Sequence, residues 1–554
     1  DVLEDFKFLP GGRIQAGAGT QNRVTLFNCF VMGVIQDSME SIFDNLKEGA
    51  LTMQQGGGVG YDFSTLRPYG TRARSTGSIA SGPVSFMCIW DSMCATLLST
   101  GARRGAMMAT LRCDHPDIEA FVAAKRDSRE LRHFNLSVQV TDDFMEAVRQ
   151  GSDWALVFPT AELGESAAAE ETVLRRWPGQ TESVPCRVLR RVGARALWDK
   201  IMRATYDYAE PGVLFIDRIN QMNNLWYREH ITGTNPCGEL PLPPYGACDL
   251  GAINLTRFIR DPFSENARLD IEGIRATAAA ATRMLDNVID VSQFPLPKQA
   301  EQAHGTRRIG LGLSGLADAT IMLGLHYGES EARELAADVM RTICHTAYRT
   351  SIALTQEKGC FPLFEKQKYL ESRFIRSLPE DIQADVAQYG IRNSHLTTIA
   401  PTGTISLLAN NISSGVEPVY DFAYSRRVLE AEGSYAIYNL TDYAYGLWRD
   451  RNGARQLLPP YFVNAQDLSP IAHLDMQAAV QPYVDSAISK TINVPQDYRF
   501  EDFRLLYEDA YDKGLKGCTT FRPNPITGAV LADEETSEEG IAVPHCCSIE
   551  READ

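Results

Sequence analysis

The residues best suited to chemistry lie in the segment TNPCGELPLPPYGACDLGAINL, residues 234–255. Pro236 and Gly238 flank Cys237, which predicts that this cysteine lies on a tight turn. Glu239 is two residues away, and because a nearby carboxylate raises the pKa of a thiol, an ionised nucleophile is poorly served here. One-electron chemistry does not require an ionised thiol. A lone cysteine in such a turn is more often structural than catalytic, and both interpretations stay open at this point.

Two other cysteines could converge on Cys237. Cys248 follows it in the same segment, and Cys29 lies in the apolar pattern VTLFNCFVMGVI, which predicts a buried strand. Two neighbouring thiols can supply two reducing electrons by forming a disulfide. In that case Asn235 and Glu239 are the polar groups expected to orient and deprotonate a substrate hydroxyl.

Composition narrows the class of protein. The 554 residues are 44% hydrophobic and 23% charged, as in ordinary globular proteins, and a net charge of −17 disfavours a nucleic-acid-binding surface. No apolar run is long enough to span a bilayer, and the first residues lack the features of a signal peptide, so we expect a cytoplasmic protein without a membrane partner. The 12 cysteines are too sparse for a disulfide scaffold and lack zinc-site spacing, so no protein-bound metal is expected.

The elements that must position these residues alternate along the chain. Apolar stretches such as GVLFIDRIN, SHLTTIAPTGTISLL and GCTTFRPNPITGAVL are separated by long helical patterns, which is typical of an α/β sheet or barrel. The polar stretch at about 161–190 predicts a surface insertion. In RRIGLGLSGLAD, Gly310, Gly312 and Gly315 have GxGxxG spacing, but the context favours tight helix–helix packing over a dinucleotide site.

Other segments could bind phosphate. In APTGTIS, a strand-like stretch ends at a proline and leads into a helical pattern, whose first turn offers N–H groups and a positive dipole end. The alternative there is simply a well-capped helix. The basic glycine-containing loops RPYGTRARSTGS and TGARRGAMMA could hold phosphates or be solvated surface.

Taken together, these segments carry a resemblance to a known family. The resemblance covers about residues 5 to 530 and rests on seven segments: FNCFVMG, QQGGGVGYDFSTLRP, RRGAMMATLRCDHPDIEAF, EPGVLFIDRIN, TNPCGELPLPPYGACDLGAINL, APTGTISLLANNISSGVEPVY and GCTTFRPNP. The chain resembles the catalytic subunit of ribonucleotide reductases, specifically the adenosylcobalamin-dependent class II. The resemblance implies a ten-stranded α/β barrel of two antiparallel five-stranded parallel halves with a central finger loop. The barrel would cover 1–530, with an effector-binding region at about 29–115, followed by an acidic, mobile tail at 531–554.

The resemblance also implies roles for individual residues. Cys237 would become a thiyl radical and remove the hydrogen atom from the ribose 3′ carbon, Glu239 would take the 3′-hydroxyl proton, and Asn235 would bind the sugar. Cys29 and Cys248 would assist loss of the 2′-hydroxyl and end the turnover as a disulfide. The implied substrate contacts are Thr402, Gly403, Thr404 and Ser406 at the phosphates, and Asn28 beside Cys29, where some relatives carry a small hydroxylated residue.

The same resemblance implies which residues bind an effector and which cofactor the protein uses. Asp37, Arg74 and Arg104 would bind a deoxynucleotide effector between the subunits of a homodimer. Phe521 and Arg522 stand where the diiron-dependent class carries two adjacent tyrosines, which favours adenosylcobalamin as a local source of the radical. No DxHxxG motif is present, so the corrin need not receive a protein histidine.

The remaining partners are a ribonucleoside di- or triphosphate substrate and a thioredoxin-like or glutaredoxin-like reductant. Cys546 and Cys547 are a candidate redox shuttle, although adjacent cysteines form a strained ring when oxidised. Two alternatives stay open: a reductase that depends on a small subunit, and a catalytically silent nucleotide-binding homologue. The silent homologue predicts loss of Cys29, Cys237, Cys248 or Glu239, and all four are present.

Overall fold

A computed structural model describes residues 1–22, 24–72, 77–97, 105–126, 130–163, 171–429 and 435–523, with only the backbone described at 426–429 and 435. Within these ranges, no helix is both long enough and apolar enough to cross a bilayer.

Nineteen strands are found in the described ranges: β1 Phe8–Pro10, β2 Cys29–Val31, β3 Gly58–Asp62, β4 Met107–Arg112, β5 Phe134–Val140, β6 Asp153–Pro159, β7 Thr172–Arg176, β8 Ser183–Gly193, β9 Gly212–Phe215, β10 Gly233–Thr234, β11 Pro241–Leu242, β12 Ala247–Asn254, β13 Ile259–Arg260, β14 Arg268–Leu269, β15 Ile309–Ser314, β16 Ala423–Leu429, β17 Tyr435–Thr441, β18 Thr491–Asn493 and β19 Gly517–Phe521.

The α-helices of the same ranges are α1 Gly12–Gly17, α2 Met39–Gln54, α3 Gly82–Thr96, α4 Ile118–Ala123, α5 Asp142–Gln150, α6 Thr160–Leu163, α7 Ala194–Tyr208, α8 Ile216–Gln221, α9 Ile271–Val291, α10 Pro297–Thr306, α11 Leu316–Met322, α12 Ser330–Lys358, α13 Lys366–Leu370, α14 Arg373–Ser377, α15 Glu380–Tyr389, α16 Gly403–Leu408, α17 Tyr443–Asn452, α18 Pro470–Val480 and α19 Phe500–Asp512.

Local sequence explains several of these elements. The helical pattern MESIFDNLKEGALTMQQ becomes α2, whose first turn is capped by the Ser38 hydroxyl accepting from the Ser41 N–H. Strands β4 and β5 are buried along their whole length. Such continuous burial is typical of parallel strands covered on both faces. The α/β prediction is therefore confirmed.

A large, mostly parallel sheet organises the chain. Strands β2, β3, β4, β5 and β9 form one block of five parallel strands. Strand β12 is antiparallel to β2, and β19 is antiparallel to β9. Beyond these junctions, β12 pairs in parallel with β15, and β19 pairs in parallel with β18.

Short contacts lie between the two outer strands β15 and β18. Leu311 of β15 forms a parallel bridge with Thr397, and Ile399 forms another with Ile488, just before β18. The Ser489 N–H donates to the Ile399 carbonyl at 2.8 Å. Residues 397–399 thus connect the two ends of the sheet by isolated bridges.

The glycines of the GxGxxG spacing have a different role from the expected helix–helix packing. Gly310 and Gly312 lie within β15, and a Cβ at Gly312 would be 2.2 Å from the Thr398 carbonyl oxygen. The prediction of helix–helix packing is wrong here, because the glycines allow strand β15 to approach the backbone of residues 397–399.

The predicted surface insertion contains a small sheet of its own. Strands β6, β8 and β7 form an antiparallel three-stranded sheet, to which the polar stretch at 161–190 contributes β7 and most of β8. Residues 164–170 lie outside the described ranges.

A short hairpin, β10 and β11, passes close to the sheet. Gly233 pairs with Leu242, and Thr234 pairs with Pro241. A Cβ at Gly60 of β3 would lie only 1.9 Å from the Thr234 carbonyl oxygen. Glycine at position 60 therefore allows the hairpin to pack directly against β3.

We predict that Gly60→Ala destabilises the protein by about 2 kcal/mol or more, because the added methyl group overlaps the hairpin backbone. Gly233→Ala is the matched control, since its Cβ would make only an ordinary 3.5 Å contact with Val31. Urea unfolding of both variants measures the difference. Equal stabilities would show that the close approach at Gly60 is not a constraint.

Candidate active site

The hairpin tip that carries Cys237 is a hydrogen-bonded turn. The Asn235 side-chain oxygen accepts from the Leu240 N–H at 3.0 Å, and the Asn235 carbonyl accepts from the Gly238 N–H at 3.1 Å. Gly238 has a φ of +81°, a conformation that favours glycine. The predicted tight turn at Cys237 is confirmed.

Side chains of β5 hold the hairpin from one side. The Asn135 amide donates to the Pro236 carbonyl at 2.6 Å, and the Gln139 amide donates to the Thr232 carbonyl at 2.5 Å. These anchors fix the backbone that leads into the tip. Sequence analysis missed them, although Asn135, Ser137 and Gln139 alternate in an otherwise apolar strand and so share one face.

The part of the sheet that contains β15 and β18 holds the other end of the hairpin tip. The Glu239 carbonyl accepts from the Ala487 N–H and from the Thr398 hydroxyl, both at 2.9 Å. The backbone at Glu239 is therefore fixed by residues near β15 and β18, while the backbone at Pro236 is fixed by β5.

The other two candidate cysteines face each other across paired strands. Cys29 of β2 lies directly opposite Cys248 of β12 in the antiparallel register, and both are reduced. Opposite Cα atoms in such pairs are about 4.5–5.5 Å apart, which lies within the range that a disulfide spans. The Asn235 amide donates to the Cys29 sulfur at 3.2 Å, so it links the hairpin tip to this pair.

Burial raises the pKa of two ionisable groups of the site. Desolvation raises the pKa of the Cys248 thiol well above its usual value. Burial also raises the pKa of Glu239 to about 7, and the nearby Asn235 side chain offsets part of this effect. The Glu239 Oε2 atom has no hydrogen-bond partner among the described residues. The site therefore combines a Cys248 thiol that resists ionisation with a carboxyl group that can change its protonation state near neutral pH.

Cys237 opens into a cavity of roughly 780 Å³, including open solvent, whose lining includes Asn135, Gln477 and Lys490. A groove of roughly 1080 Å³, including open solvent, adjoins it and shares Ser489 and Thr491 as wall residues. Lys490 was not predicted from sequence; its ammonium group binds the Glu417 carboxylate at 2.6 Å and the His473 ring at 3.0 Å.

The predicted phosphate loop lines the groove at Pro401, Gly403 and Ser406. Its hydroxyl groups are largely occupied by internal bonds. The Thr402 oxygen accepts from the Gly415 N–H at 2.9 Å, and Ser314 bonds both Thr402 and Ser406 at 3.0 and 2.8 Å. Thr404 is exposed on the same turn. The Thr402 and Ser406 hydroxyls therefore stabilise the loop.

The carboxyl groups that line the groove are largely compensated. Glu417 forms the ion pair with Lys490, and its second oxygen accepts from the Thr491 N–H at 2.7 Å. Burial, followed by the neighbouring Asp318, raises the pKa of Asp442 well above its usual value. The third carboxyl group of the groove, Asp421, accepts from the Phe422 N–H at 2.6 Å and forms no ion pair with another described residue.

The remaining predicted residues divide into two sets. Asp37 forms an ion pair with Arg67, whose Nη1 also donates to the Arg72 carbonyl at 3.2 Å, at the base of the first basic loop. Asn28 is partly buried beside Cys29, and its side-chain oxygen has no hydrogen-bond partner within the described ranges. Arg74, Arg104, Cys546 and Cys547 lie outside the described residues, as does the tail from 524 onward.

We predict that mild oxidation with diamide links Cys29 to Cys248 without unfolding, because their strands already hold the cysteines opposite each other. Peptide mapping by mass spectrometry should recover this linked pair, and Cys248→Ser should abolish it. A Cys88→Ser background removes the exposed thiol that could form bonds between molecules. Recovery of Cys29 linked to a different cysteine would contradict the prediction.

Comparisons with known proteins agree with this geometry. A family model described as ribonucleotide reductase, barrel domain, matches residues 27–521. The chain is 39% identical to the vitamin B12-dependent ribonucleoside-diphosphate reductase of Mycobacterium tuberculosis (strain CDC 1551 / Oshkosh), across 96% of this chain and 72% of that protein. It is 36% identical to the protein of the same name from Thermoplasma acidophilum, across 96% of this chain and 65% of that protein.

A more distant relative has a different name. The ribonucleoside-diphosphate reductase subunit alpha of Chlamydia pneumoniae is 26% identical, across 98% of this chain and 56% of that protein. The match to the family model and the identity to the mycobacterial protein cover most of the chain, and the chain therefore belongs to the ribonucleotide reductase family.

Proposed function

We propose that this chain reduces ribonucleotides to 2′-deoxyribonucleotides, with adenosylcobalamin as the source of the radical. The observation that carries the proposal is the convergence of the Cys237 turn, the Cys29–Cys248 pair and Glu239 in one buried site. The names of the mycobacterial and Thermoplasma relatives support the B12 dependence and favour a ribonucleoside diphosphate as substrate.

The sheet closes, in this proposal, into a ten-stranded barrel around the hairpin. Strands β2, β3, β4, β5 and β9 would form one half. Strands β12, β15, β18 and β19 would form the other half together with residues 397–399. The bridges Leu311–Thr397 and Ile399–Ile488 support this closure, because they lie between the outer strands. The hairpin would then be the finger loop.

Each residue of the hairpin tip has a chemical role in the proposed reaction. Cys237, as a thiyl radical, removes the hydrogen atom from the ribose 3′ carbon, and Glu239 accepts the 3′-hydroxyl proton. Asn235 hydrogen-bonds the sugar. The buried surroundings of Glu239 support its role, since a carboxyl group with a pKa near neutrality suits a general base.

The electrons come from the cysteine pair. Cys29 and Cys248 each give up one hydrogen as they form a disulfide, and the 2′-hydroxyl leaves as water. One ribonucleotide and two thiols thus yield one deoxyribonucleotide, one disulfide and one water. The direct cross-strand pairing of Cys29 and Cys248 supports this step.

The substrate phosphates bind at the turn 402–406. The N–H groups at Gly403 and Thr404 and the exposed Thr404 hydroxyl would face the phosphates, while Thr402 and Ser406 hold the turn in shape. The ion pair between Glu417 and Lys490 supports binding of an anion in this groove, because it reduces the repulsion between the Glu417 carboxylate and the anion.

The groove also fits the cofactor. A corrin has a broad apolar face with peripheral amides, and the groove lining combines apolar side chains such as Val419 and Ile412 with the amides of Asn411 and Asn493. These residues would hold the cofactor beside the Cys237 cavity. When bound, adenosylcobalamin supplies an organic radical by homolysis of its Co–C bond.

A deoxynucleotide effector would bind near Asp37, with Arg74 and Arg104 as further contacts, across the interface of a homodimer. The apolar side chains Met39, Phe43 and Leu51 are exposed on α2, which supports a subunit contact nearby. A thioredoxin-like or glutaredoxin-like dithiol would restore the cysteine pair, with Cys546 and Cys547 as a possible relay.

The small-subunit-dependent alternative is less well supported. Phe521 lines the groove, and Arg522 stacks on Tyr206 with its guanidinium carbon 3.9 Å from the ring centre. Neither residue can carry the phenol-based radical transfer that such a reductase uses, which favours the cofactor. The silent homologue is disfavoured because all four reactive side chains are present.

We predict that anaerobic turnover of ribonucleoside diphosphates with dithiothreitol occurs only with adenosylcobalamin, and that Cys237→Ala abolishes deoxynucleotide formation. Cofactor affinity, measured by equilibrium dialysis, should be retained by the variant. Triphosphates tested in parallel determine the phosphate requirement. Turnover by Cys237→Ala, or turnover without cobalamin, would refute the assignment.

We predict that kcat/KM rises with pH through an apparent pKa of about 7, because the ionised form of Glu239 accepts the proton. Glu239→Gln should lose most activity and this pH dependence. Since burial raises this pKa, the folded state binds the proton more tightly than the unfolded state, and the free energy of unfolding should fall as pH rises towards 7. Glu239→Gln should remove this part of the pH dependence, and an unchanged profile would contradict the assignment.

A further inference from the structure

Arg308 is a buried cation to which the proposed reaction assigns no role. It is 1% exposed, its Nη2 atom donates to Glu229 at 2.5 Å, and its Nε atom donates to the His395 ring at 3.1 Å. Its Nη1 atom is buried and has no hydrogen-bond partner within the described part of the chain. An unmade hydrogen bond on a buried charge is costly, so this group calls for an explanation.

The strand register brings Arg308 next to the cysteine pair. In the parallel pairing of β12 with β15, Asp249 lies opposite Ile309, so the preceding residues, Cys248 and Arg308, are neighbours on the other face. Gly310 has the same orientation as Arg308, and a Cβ at Gly310 would lie 3.2 Å from the Cys248 sulfur. Cys248 and Arg308 therefore share one face of the sheet.

The charges around Cys248 differ in sign. Burial raises the pKa of the Cys248 thiol most strongly, and Asp249 on its own strand, Asp485 near β18 and Cys29 on β2 raise it further. Arg308 opposes these effects. Burial also raises the pKa of the Asp249 carboxyl well above its usual value. Arg308 is thus the group that favours negative charge on the Cys248 sulfur.

We propose that Arg308 is a positioning residue for regeneration of the Cys29–Cys248 pair, directing the reductant to Cys29 by stabilising Cys248 as the leaving thiolate. This inference rests on the proposed function, in which the pair is oxidised once per turnover. In thiol–disulfide exchange, the better-stabilised thiolate leaves faster, so the sulfur beside the cation is the leaving group.

The exchange proceeds in two balanced steps. A thiolate of an external dithiol attacks the Cys29 sulfur, the Cys29–Cys248 bond breaks, and the electron pair goes to Cys248 as a thiolate. The second thiol of the reductant then attacks its partner sulfur in the mixed disulfide and releases Cys29. The reductant ends as a disulfide, and its two protons return both cysteines to thiols.

The surroundings of Cys29 agree with this direction of attack. Cys29 is 8% exposed whereas Cys248 is fully buried at 0%, so a reductant reaches Cys29 first. Cys29 accepts a hydrogen bond from the neutral Asn235 amide, whereas the Arg308 cation lowers the pKa of the Cys248 thiol against the larger effect of burial. A charged group stabilises a thiolate more than a neutral donor does.

The test uses the full chain without nucleotide or cobalamin. The pair is oxidised with diamide, treated briefly with the monothiol 2-mercaptoethanol, and quenched with acid before peptide mass spectrometry. The native chain should carry the mixed disulfide on Cys29. Arg308→Gln should distribute it over both cysteines and slow reduction by dithiothreitol by about tenfold. Arg308→Lys, which keeps the charge, should retain most of the native behaviour.

Matched controls separate charge from structural damage. Arg307 is 4% exposed and bonds Asp286 and Asp290, so it is equally buried without facing Cys248. Arg307→Gln should leave both rate and adduct position unchanged. Glu229→Gln removes the counter-charge of Arg308 and should accelerate reduction, which keeps the proposal testable if Arg308→Gln does not fold.

The inference is overturned if Arg308→Gln is reduced at the native rate with the adduct still confined to Cys29. It is also overturned if Arg307→Gln shows the slower reduction and the spread of the adduct that are expected of Arg308→Gln. An unchanged rate in Glu229→Gln would also count against it. Failure of the proposed function is distinguishable, because it would appear as absent deoxynucleotide formation while the nucleotide-free thiol exchange still proceeds.

Discussion

The structure depends on a short hairpin whose backbone is hydrogen-bonded from two opposite blocks of the sheet. Asn135 holds the carbonyl before Cys237, and Thr398 with the Ala487 N–H holds the carbonyl at Glu239. A two-residue strand pair has little stability of its own, so the tip keeps its shape only through these contacts. Gly60 permits the close approach that makes them possible. The position of the reactive cysteine is therefore a property of the whole sheet.

Burial determines the chemistry that the hairpin can support. Removing the site from water raises the pKa of the Cys248 thiol and of Glu239, so the Cys248 thiol resists ionisation and the carboxyl group titrates near neutrality. Neutral thiols suit transfer of hydrogen atoms, whereas conventional nucleophilic catalysis requires thiolates. The same burial makes each nearby charge effective over a longer distance. Arg308 can therefore influence the cysteine pair, although its strongest visible contacts are with Glu229 and His395.

The adjoining groove shows how an acidic protein prepares a place for an anion. Lys490 compensates the charge of Glu417, and burial together with the neighbouring Asp318 raises the pKa of Asp442. The hydroxyls of Thr402 and Ser406 are bonded to each other and to Ser314, which fixes the turn before any ligand arrives. A ligand bound here would meet a preformed turn, with less conformational freedom lost on binding.

The sequence by itself determined the family, the α/β class, the helix α2 with its Ser38 cap and the tight turn at Cys237, because each depends on local spacing or on motifs read in order. Only the tertiary structure decided which groups meet. The register of β2 with β12 makes Cys29 and Cys248 direct neighbours, and the register of β12 with β15 brings Arg308 to the same face. The tertiary structure also showed that Gly312 permits close contact between β15 and the backbone of Thr398. The Thr402 hydroxyl accepts a hydrogen bond from the Gly415 N–H within the protein. The physical reason is that register, burial and charge compensation arise between residues far apart in the chain, where local pattern carries no information.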